Sequence, residues 1–531
     1  MENDIAILPC KNESPTDYAD RLGVYYTSLV HDGHKKIKGQ YFTPSKIARY
    51  MGKLADAVDE KISILDPGCG TAILTCSLIE QLIAKAAKLK SIQLTAYETD
   101  PQLIPYTEKA IAYLMEWLNC KEIVFSYRLI AKDFILENAD VLKDEYSLNL
   151  FENPPKEKYD YIISNPPYFK LSKEDRRTKV SEIIVCGQPN IYALFMAVSA
   201  KLLNSTGQLI FITPRSFASG NYFKVFRSYF FNAIQLQHIH LFASRKDTFD
   251  RDSVLQETLI IKAKPANMDI REHKVTITSS LGLNDLNKPN IREYFSEELM
   301  DENSDEKILY LPVNDFEEDV IRMFRSWTGN LKKYNIQIST GPVVAFRATE
   351  YIRETLEDGN LLAPLYWLHN VTKMQCDWPV PKPGKGQYIQ ICQGSKSLLV
   401  PNKNYIFLRR FSSKDDKNRL IASPYFLNTN NSDYIGIENK LNYIYRPKGN
   451  LNADEAVGLA ALLNSKLFDT FFRTFNGNIN VSATELREMP LPPLETIKEM
   501  GERIIMQKDY SLSLTDEIVS QYFEINHLIE V

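Results

Sequence analysis

The chain has 531 residues, 44% of them hydrophobic and 24% charged, with a formal net charge of −4. That length exceeds one ordinary core and predicts several domains, and the composition excludes a disordered or fibrous chain. No apolar run reaches the ~18 residues of a membrane span, and the seven cysteines form no C-x-x-C pair, which argues against a zinc site or a disulfide framework.

Residues 1–35 read as a helical N-terminal extension. Their opening, MENDIAILPCKNESPTDYAD, is acidic and polar, unlike a secretory leader, so the expected setting is a reducing cytoplasm. From Ile62 an alternation begins. KISILD is a short apolar run ending in an acid, read as a buried strand. A glycine turn, PGCG, leads into the helical spacing of TAILTCSLIEQLIAKAAKL. SIQLTAYETD is a second strand and PQLIPYTEKAIAYLMEWL a second helix; IVFSYRLIAKDFI holds a third strand ending near Asp133, and YDYIIS is the fourth. IYALFMAVSAKLLNSTG reads as a helix with a glycine stop, followed by the strand QLIFITP. QLQHIHLFA and SVLQETLIIKAK read as two more strands. Strands and helices in this alternation imply a doubly wound, mostly parallel α/β sheet. Residues 294–306 are acidic and read as a linker or surface excursion; beyond Lys307 short β-rich pieces mix with helices. NYIFLRRF at 404–411 reads as a strand, and 454–475 as one amphipathic helix.

In such sheets ligands bind at the carboxyl ends of the strands. Gly68 and Gly70 let the first turn approach a ligand closely. A dinucleotide fingerprint would need a third glycine where Ile73 stands, and no G-K-[ST] phosphate loop follows. Glu98, at the end of the second strand, can accept both hydroxyls of a ribose. Asp133, at the end of the third, can accept from an adenine amino group. Acids ending three successive strands beside a glycine turn describe a pocket for an adenosine without a phosphate tail, as in S-adenosylmethionine (AdoMet).

Two Asn-Pro-Pro triplets follow. Asn153 sits in a charged connection, whereas Asn165 directly follows the buried run YDYIIS and so lies at the carboxyl edge, beside the glycine turn. The Asn165 side-chain carbonyl and the Pro166 main-chain carbonyl can both accept from an amine on an aromatic ring, drawing its nitrogen toward tetrahedral geometry. Pro166 and Pro167 stiffen the turn, and Tyr168 supplies a flat face for a base. The chemistry needs neither a metal nor a strong general base.

With these residues in view, the chain resembles the γ-class (TaqI-like) DNA adenine-N6 methyltransferases of restriction–modification type, in the PstI/BsuBI group. The resemblance runs over about 35–265, through GQYFTP at 39–44, DPGCGTA at 66–72 and NPPY at 165–168. The family usually has glycine where this chain has Ala72. The resemblance implies a Rossmann-like AdoMet-dependent methyltransferase domain with a seven-stranded, mostly parallel sheet over 36–290. It implies a C-terminal mixed α+β target-recognition domain over 307–531. It assigns Gln40, Tyr41, Phe42, Thr43, Asp66, Pro67, Gly68, Gly70, Glu98, Asp133 and Asn165 to the cofactor, and Asn165, Pro166, Pro167 and Tyr168 to catalysis. Phe249, in RKDTFDRDS, is implied to pack against a flipped base together with Tyr168.

Duplex DNA is then the expected partner, with a separate restriction endonuclease as a further one and neither membrane nor metal. The stretch 371–420 holds ten basic and three acidic residues, a local charge of +7 in an acidic chain. Arg409, Arg410, Lys414, Lys417 and Arg419 are therefore the expected DNA contacts. Two alternatives share the motifs: transfer to an RNA base or a protein glutamine, or a vestigial DNA-binding subunit. The pairs His31/His34 and His238/His240 lack carboxylate or cysteine company and read as structural.

Overall fold

The computed structural model describes residues 7–30, 39, 41–56, 59–85, 88–143, 156–242, 257–267, 273–301, 304–355, 361–412, 417–476 and 481–523. The chain divides into two compact units, Met1–Val313 and Asn314–Val531.

The first unit is built on one sheet. Its strands are β1 (Lys61–Asp66), β2 (Ser91–Tyr97), β3 (Val124–Ile130), β4 (Tyr159–Ser164), β5 (Leu203–Pro214), β6 (Ile234–Phe242), β7 (Thr258–Pro265), β8 (Lys274–Ser280) and β9 (Asn290–Phe295). They lie in the order β3-β2-β1-β4-β5-β7-β6-β8-β9. β1, β2, β3, β4 and β5 pair in parallel, and β7 runs antiparallel to both its neighbours. Parallel strands are covered on both faces, which is why these segments read as near-continuous apolar runs. The pleat divides them: Ile62, Ile64, Tyr161 and Ile163 belong to one core layer, Leu65 and Ile162 to the other.

Helices cover both faces: α1 (Pro15–Leu29), α2 (Ser45–Leu54), α3 (Ile73–Lys85), α4 (Ile104–Asn119), α5 (Phe134–Asn138), α6 (Arg176–Val180), α7 (Ile191–Lys201) and α8 (Lys224–Ala233). α1 packs against α2, α3 and α4 and buries Tyr18, Leu22 and Tyr26 in their shared core.

Three readings of the sequence need correction. The sheet has nine strands among the described residues, not seven: β8 pairs in parallel with β6, and β9 closes antiparallel on β8. Residues 290–299 are therefore β9 and a short helix, Ser296–Leu299, rather than linker. The helix at 191 ends at Lys201, and β5 begins at Leu203, opposite Tyr159. Gly207 is not a helix stop; it lies inside β5, where an added Cβ would come 2.7 Å from the Tyr159 carbonyl oxygen.

Among its described residues the second unit holds three small sheets, one of them only the two-stranded pair Val371–Thr372 and Gln375–Cys376, and helices. Gln337–Thr340, Leu441–Tyr445, Tyr405–Arg409 and Ala422–Tyr425 form an antiparallel sheet in that order. A five-stranded sheet runs Ile352–Arg353, Tyr388–Gln390, Leu362–Tyr366, Tyr434–Ile437, Leu399–Pro401. The stretch read as one helix is two, Ala453–Asn464 and Lys466–Phe475. Ser465 breaks it with extended dihedrals (φ −65°, ψ 152°), and its hydroxyl oxygen accepts from the Phe468 N–H as an N-cap. Among the described residues no helix is long and apolar enough to cross a membrane.

Candidate active site

The strand order reverses between β1 and β4, whose carboxyl ends therefore face a crevice. A cavity of about 470 Å³ lies there. Gly68 and Gly70 line it from the turn after β1, Glu98 from the end of β2, Asp133 from beyond β3, and Asn165 and Pro167 from beyond β4. Tyr41, Phe42, Thr43 and Pro67 complete the set of expected residues on its wall. Gln40 and Phe249 lie outside the described residues, as does Asn153.

The turn is shaped for close approach. Gly70 has φ +53°, and a Cβ on Gly68 would meet nothing nearer than Phe195, at 3.6 Å. Glu98 accepts from three backbone N–H groups, those of Thr99 (2.7 Å), Asp100 (2.7 Å) and Gly70 (3.2 Å). These bonds fix the carboxylate beside the turn, while burial pushes its pKa up. Asp133 caps α5 with one oxygen, accepting from the Leu136 N–H at 3.0 Å. Its other oxygen faces the Arg177 guanidinium at 3.6 Å. Asp66 does not reach the wall: it is fully buried, accepts from the Thr75 hydroxyl at 2.8 Å, and burial raises its pKa to about 7. Its place is behind the turn, holding the turn to α3.

Asn165 is held from two sides. Its Nδ2 donates to the Tyr41 carbonyl (3.1 Å) and the Thr43 hydroxyl (3.0 Å). The Tyr168 hydroxyl lies within hydrogen-bond distance of Asn165 Oδ1 (2.5 Å) and of the Ile212 carbonyl (2.9 Å), with one proton for the two acceptors. The amide plane is thereby set, and Oδ1 keeps a lone pair. Tyr168 itself is only 7% exposed, and its ring already stacks on Tyr41 at 6.1 Å between centroids. Neither it nor Pro166 lines the cavity.

The sequence reading missed Arg177, Phe169, Phe134, Phe195 and Lys132, all of which line the cavity. Phe134 follows Asp133 directly and Phe169 follows Tyr168, so neighbouring aromatics were an available signal for two of them. Arg177 had none. It pairs in a fork with Asp175 and lies 5.6 Å from the Phe169 ring centroid.

The expected DNA-contacting cations divide. Arg419 is corrected: it is 1% exposed, donates to Asn476 Oδ1 at 2.6 Å and lies over the Phe472 ring, so it belongs to a core and offers nothing to a phosphate. Arg409 is half-buried, its Nε donating to the Val371 carbonyl at 2.7 Å. Arg410 is half-buried as well, Lys417 is exposed, and Lys414 lies outside the described residues. Among the described residues no group of three or more His, Cys, Asp or Glu is placed to hold a metal ion.

The donor set fits AdoMet: a glycine turn open to a ligand, a fixed carboxylate beside it, and a second carboxylate among aromatic rings. Comparison with known proteins finds methyltransferases. Residues 79–249 match the Eco57I restriction-modification methylase family. The type II methyltransferase M.PstI of Providencia stuartii is 31% identical over 494 residues, 92% of this chain and 93% of that protein. M.BsuBI of Bacillus subtilis is 31% identical over 475 residues, covering 89% and 91%. Among solved structures, the DrdV–DNA complex shares the fold, with a TM-score of 0.51 at 13% identity over 93% of this chain and 60% of that one. The chain belongs to the family of type II restriction–modification methyltransferases that includes M.PstI and M.BsuBI.

Proposed function

We propose that this chain transfers the methyl group of AdoMet to the N6 amine of an adenine flipped out of a specific site in duplex DNA, as the modification enzyme of a restriction–modification system. The observation that carries this reading is the setting of Asn165, an amide locked at the rim of a glycine-lined cavity with an acceptor lone pair to spare. Gly68 and Gly70 receive the cofactor's backbone, Glu98 its ribose hydroxyls and Asp133 its adenine amine. When bound, AdoMet supplies an electrophilic methyl group on a sulfonium.

The amine of adenine is a weak nucleophile because its lone pair is delocalised into the ring. Asn165 Oδ1 and the Pro166 carbonyl accept its two N–H bonds and hold the nitrogen in line, a positioning effect of the kind that supplies much of an enzyme's rate. Extruding the base costs a few kcal/mol of stacking. Stacking it on Tyr168 requires the Tyr41 ring to leave that face.

Asn165→Ala is expected to abolish methyl transfer while leaving AdoMet affinity, measured by titration calorimetry, within about threefold, since one acceptor is lost but the cavity stays. Full activity in that variant overturns the mechanism. Long-read sequencing of DNA from cells expressing the chain tests the acceptor. A modified-adenine motif is expected; a modified cytosine, or transfer only to RNA or protein, overturns the reading.

A further inference from the structure

We infer that one edge of the second unit, centred on the turn Glu438–Lys440, is a docking surface for duplex DNA; this rests on the reading of the chain as a DNA methyltransferase. Three segments far apart in sequence meet at that turn. The Asn439 N–H donates to the Val343 carbonyl (2.8 Å), and the Val343 N–H donates to the Ile437 carbonyl (3.0 Å). From the other side, the Arg410 N–H donates to the Lys440 carbonyl (2.9 Å), and Arg410 Nη1 donates to the Asn439 carbonyl (3.2 Å).

What these anchors hold up is unusual for a surface. Val343 is fully buried, yet three residues on, in the turn Ala345–Arg347, Phe346 is 79% exposed. The Arg347 guanidinium lies 5.3 Å from its ring centroid. Phe411 repeats the pattern: it is 41% exposed, with the Arg410 guanidinium 5.7 Å from its ring. Lys440 adds a half-exposed ammonium. Among the described residues, neither Arg347 nor Arg410 has a carboxylate partner. The acids nearby are Glu438 and Glu350. Glu438 is 3% exposed and faces Lys385 and Lys440; Glu350 is exposed.

The fold gains nothing from a phenylalanine in water. Beside a duplex, such a ring serves as an apolar wedge between base steps next to a guanidinium on a phosphate, a combination that binds double-stranded DNA. A protein partner is less well matched, because the cores of protein interfaces are depleted of charge. An excess of unneutralised cations in an acidic chain selects a polyanion.

The test uses the full chain. Binding to a fluorescein-labelled random-sequence duplex is followed across salt concentrations, and methyl transfer to an unmethylated plasmid across plasmid concentrations. In the double variant Arg347→Ala/Arg410→Ala, the slope of log K against log salt is expected to fall by about two. The KM for plasmid is expected to rise at least tenfold, roughly, with kcat little changed. Phe346→Ala raises that KM several-fold and Phe346→Trp restores it. Lys332→Ala, an exposed cation elsewhere in this unit, leaves KM unchanged. AdoMet titration and the melting midpoint report folding. If the double variant fails them, Arg347→Gln alone replaces it, with a slope loss of about one. An unchanged slope and KM in a folded variant, while the wild type methylates the plasmid, overturns the surface alone. A wild type that neither binds duplex nor methylates it overturns the underlying reading as well.

Discussion

Arg177 ties together three parts of the cofactor cavity. Its fork to Asp175 fixes its direction, its plane lies near Phe169, and its Nη1 faces the free oxygen of Asp133. An aspartate that caps a helix and, as proposed, also accepts from a ligand needs its second oxygen held in place. Arg177→Ala is therefore expected to weaken AdoMet binding by about tenfold, the scale of one charge-assisted contact. Saturated kcat should be nearly unchanged, and Arg177→Lys should recover part of the affinity. Unaltered calorimetric affinity in Arg177→Ala would rule this out. Ala72 makes a different case. It is fully buried with φ +62°, a left-handed conformation that costs a residue with a Cβ about 1 kcal/mol or more. Ala72→Gly is expected to raise stability by about 0.5–1 kcal/mol, measured as a shift in denaturant midpoint, after allowing for glycine's freer unfolded chain.

At the scale of elements, β6, β8 and α2 share a polar knot inside an otherwise apolar face. The Tyr50 hydroxyl lies 3.0 Å from His240 Nδ1, 3.3 Å from His238 Nε2 and 2.9 Å from the Thr278 hydroxyl. Burial lowers the His240 pKa to about 3 and that of His238 to about 4, the latter with help from Lys262. Both folded values lie below the unfolded 6.5, so their stability is present above that pH and lost as pH falls toward the folded values. For His240 alone the loss from pH 7 to pH 5 is about 2 kcal/mol. Unfolding titrations at the two pH values should show that loss, and His240→Asn should shrink it. β1, β2, β4 and β5 were legible in the sequence because buried parallel strands leave near-continuous apolar runs. β8 and β9 were not, because KVTITSS and NIREYF alternate polar residues along the open side of the sheet. The break at Ser465 hid within a run whose apolar spacing continues across it. Asn165, Glu98 and Asp133 could be read because each ends a strand or follows one. The contacts of Asn165 to Tyr41 and Thr43 span more than 120 positions, and no local pattern records them.

Over the whole molecule, local charge proved a poor guide to the surface. Of the ten cations in 371–420, Arg419 faces inward and Lys373 is spent on Asn418 and on the carbonyl that closes the helix at Asn464. A sum over sequence does not know which side chains meet water. The two units each own a core, so a ligand bound to one stabilises that one by mass action. AdoMet at a hundred times its Kd should add about 2.7 kcal/mol to the unit holding Gly68 and Asn165. Calorimetric scans with and without AdoMet check this; an unmoved transition for that unit would count against the cavity. The grip of Tyr41 and Thr43 on the Asn165 amide has one more result. Asn165, the proposed acceptor of the amine, takes its orientation from Tyr41 and Thr43, which also wall the cavity. A compound that breaks the hold of the Tyr41 carbonyl on Nδ2 would, on the proposed mechanism, disorient the amide, whereas turning the Tyr41 ring aside leaves that main-chain bond in place.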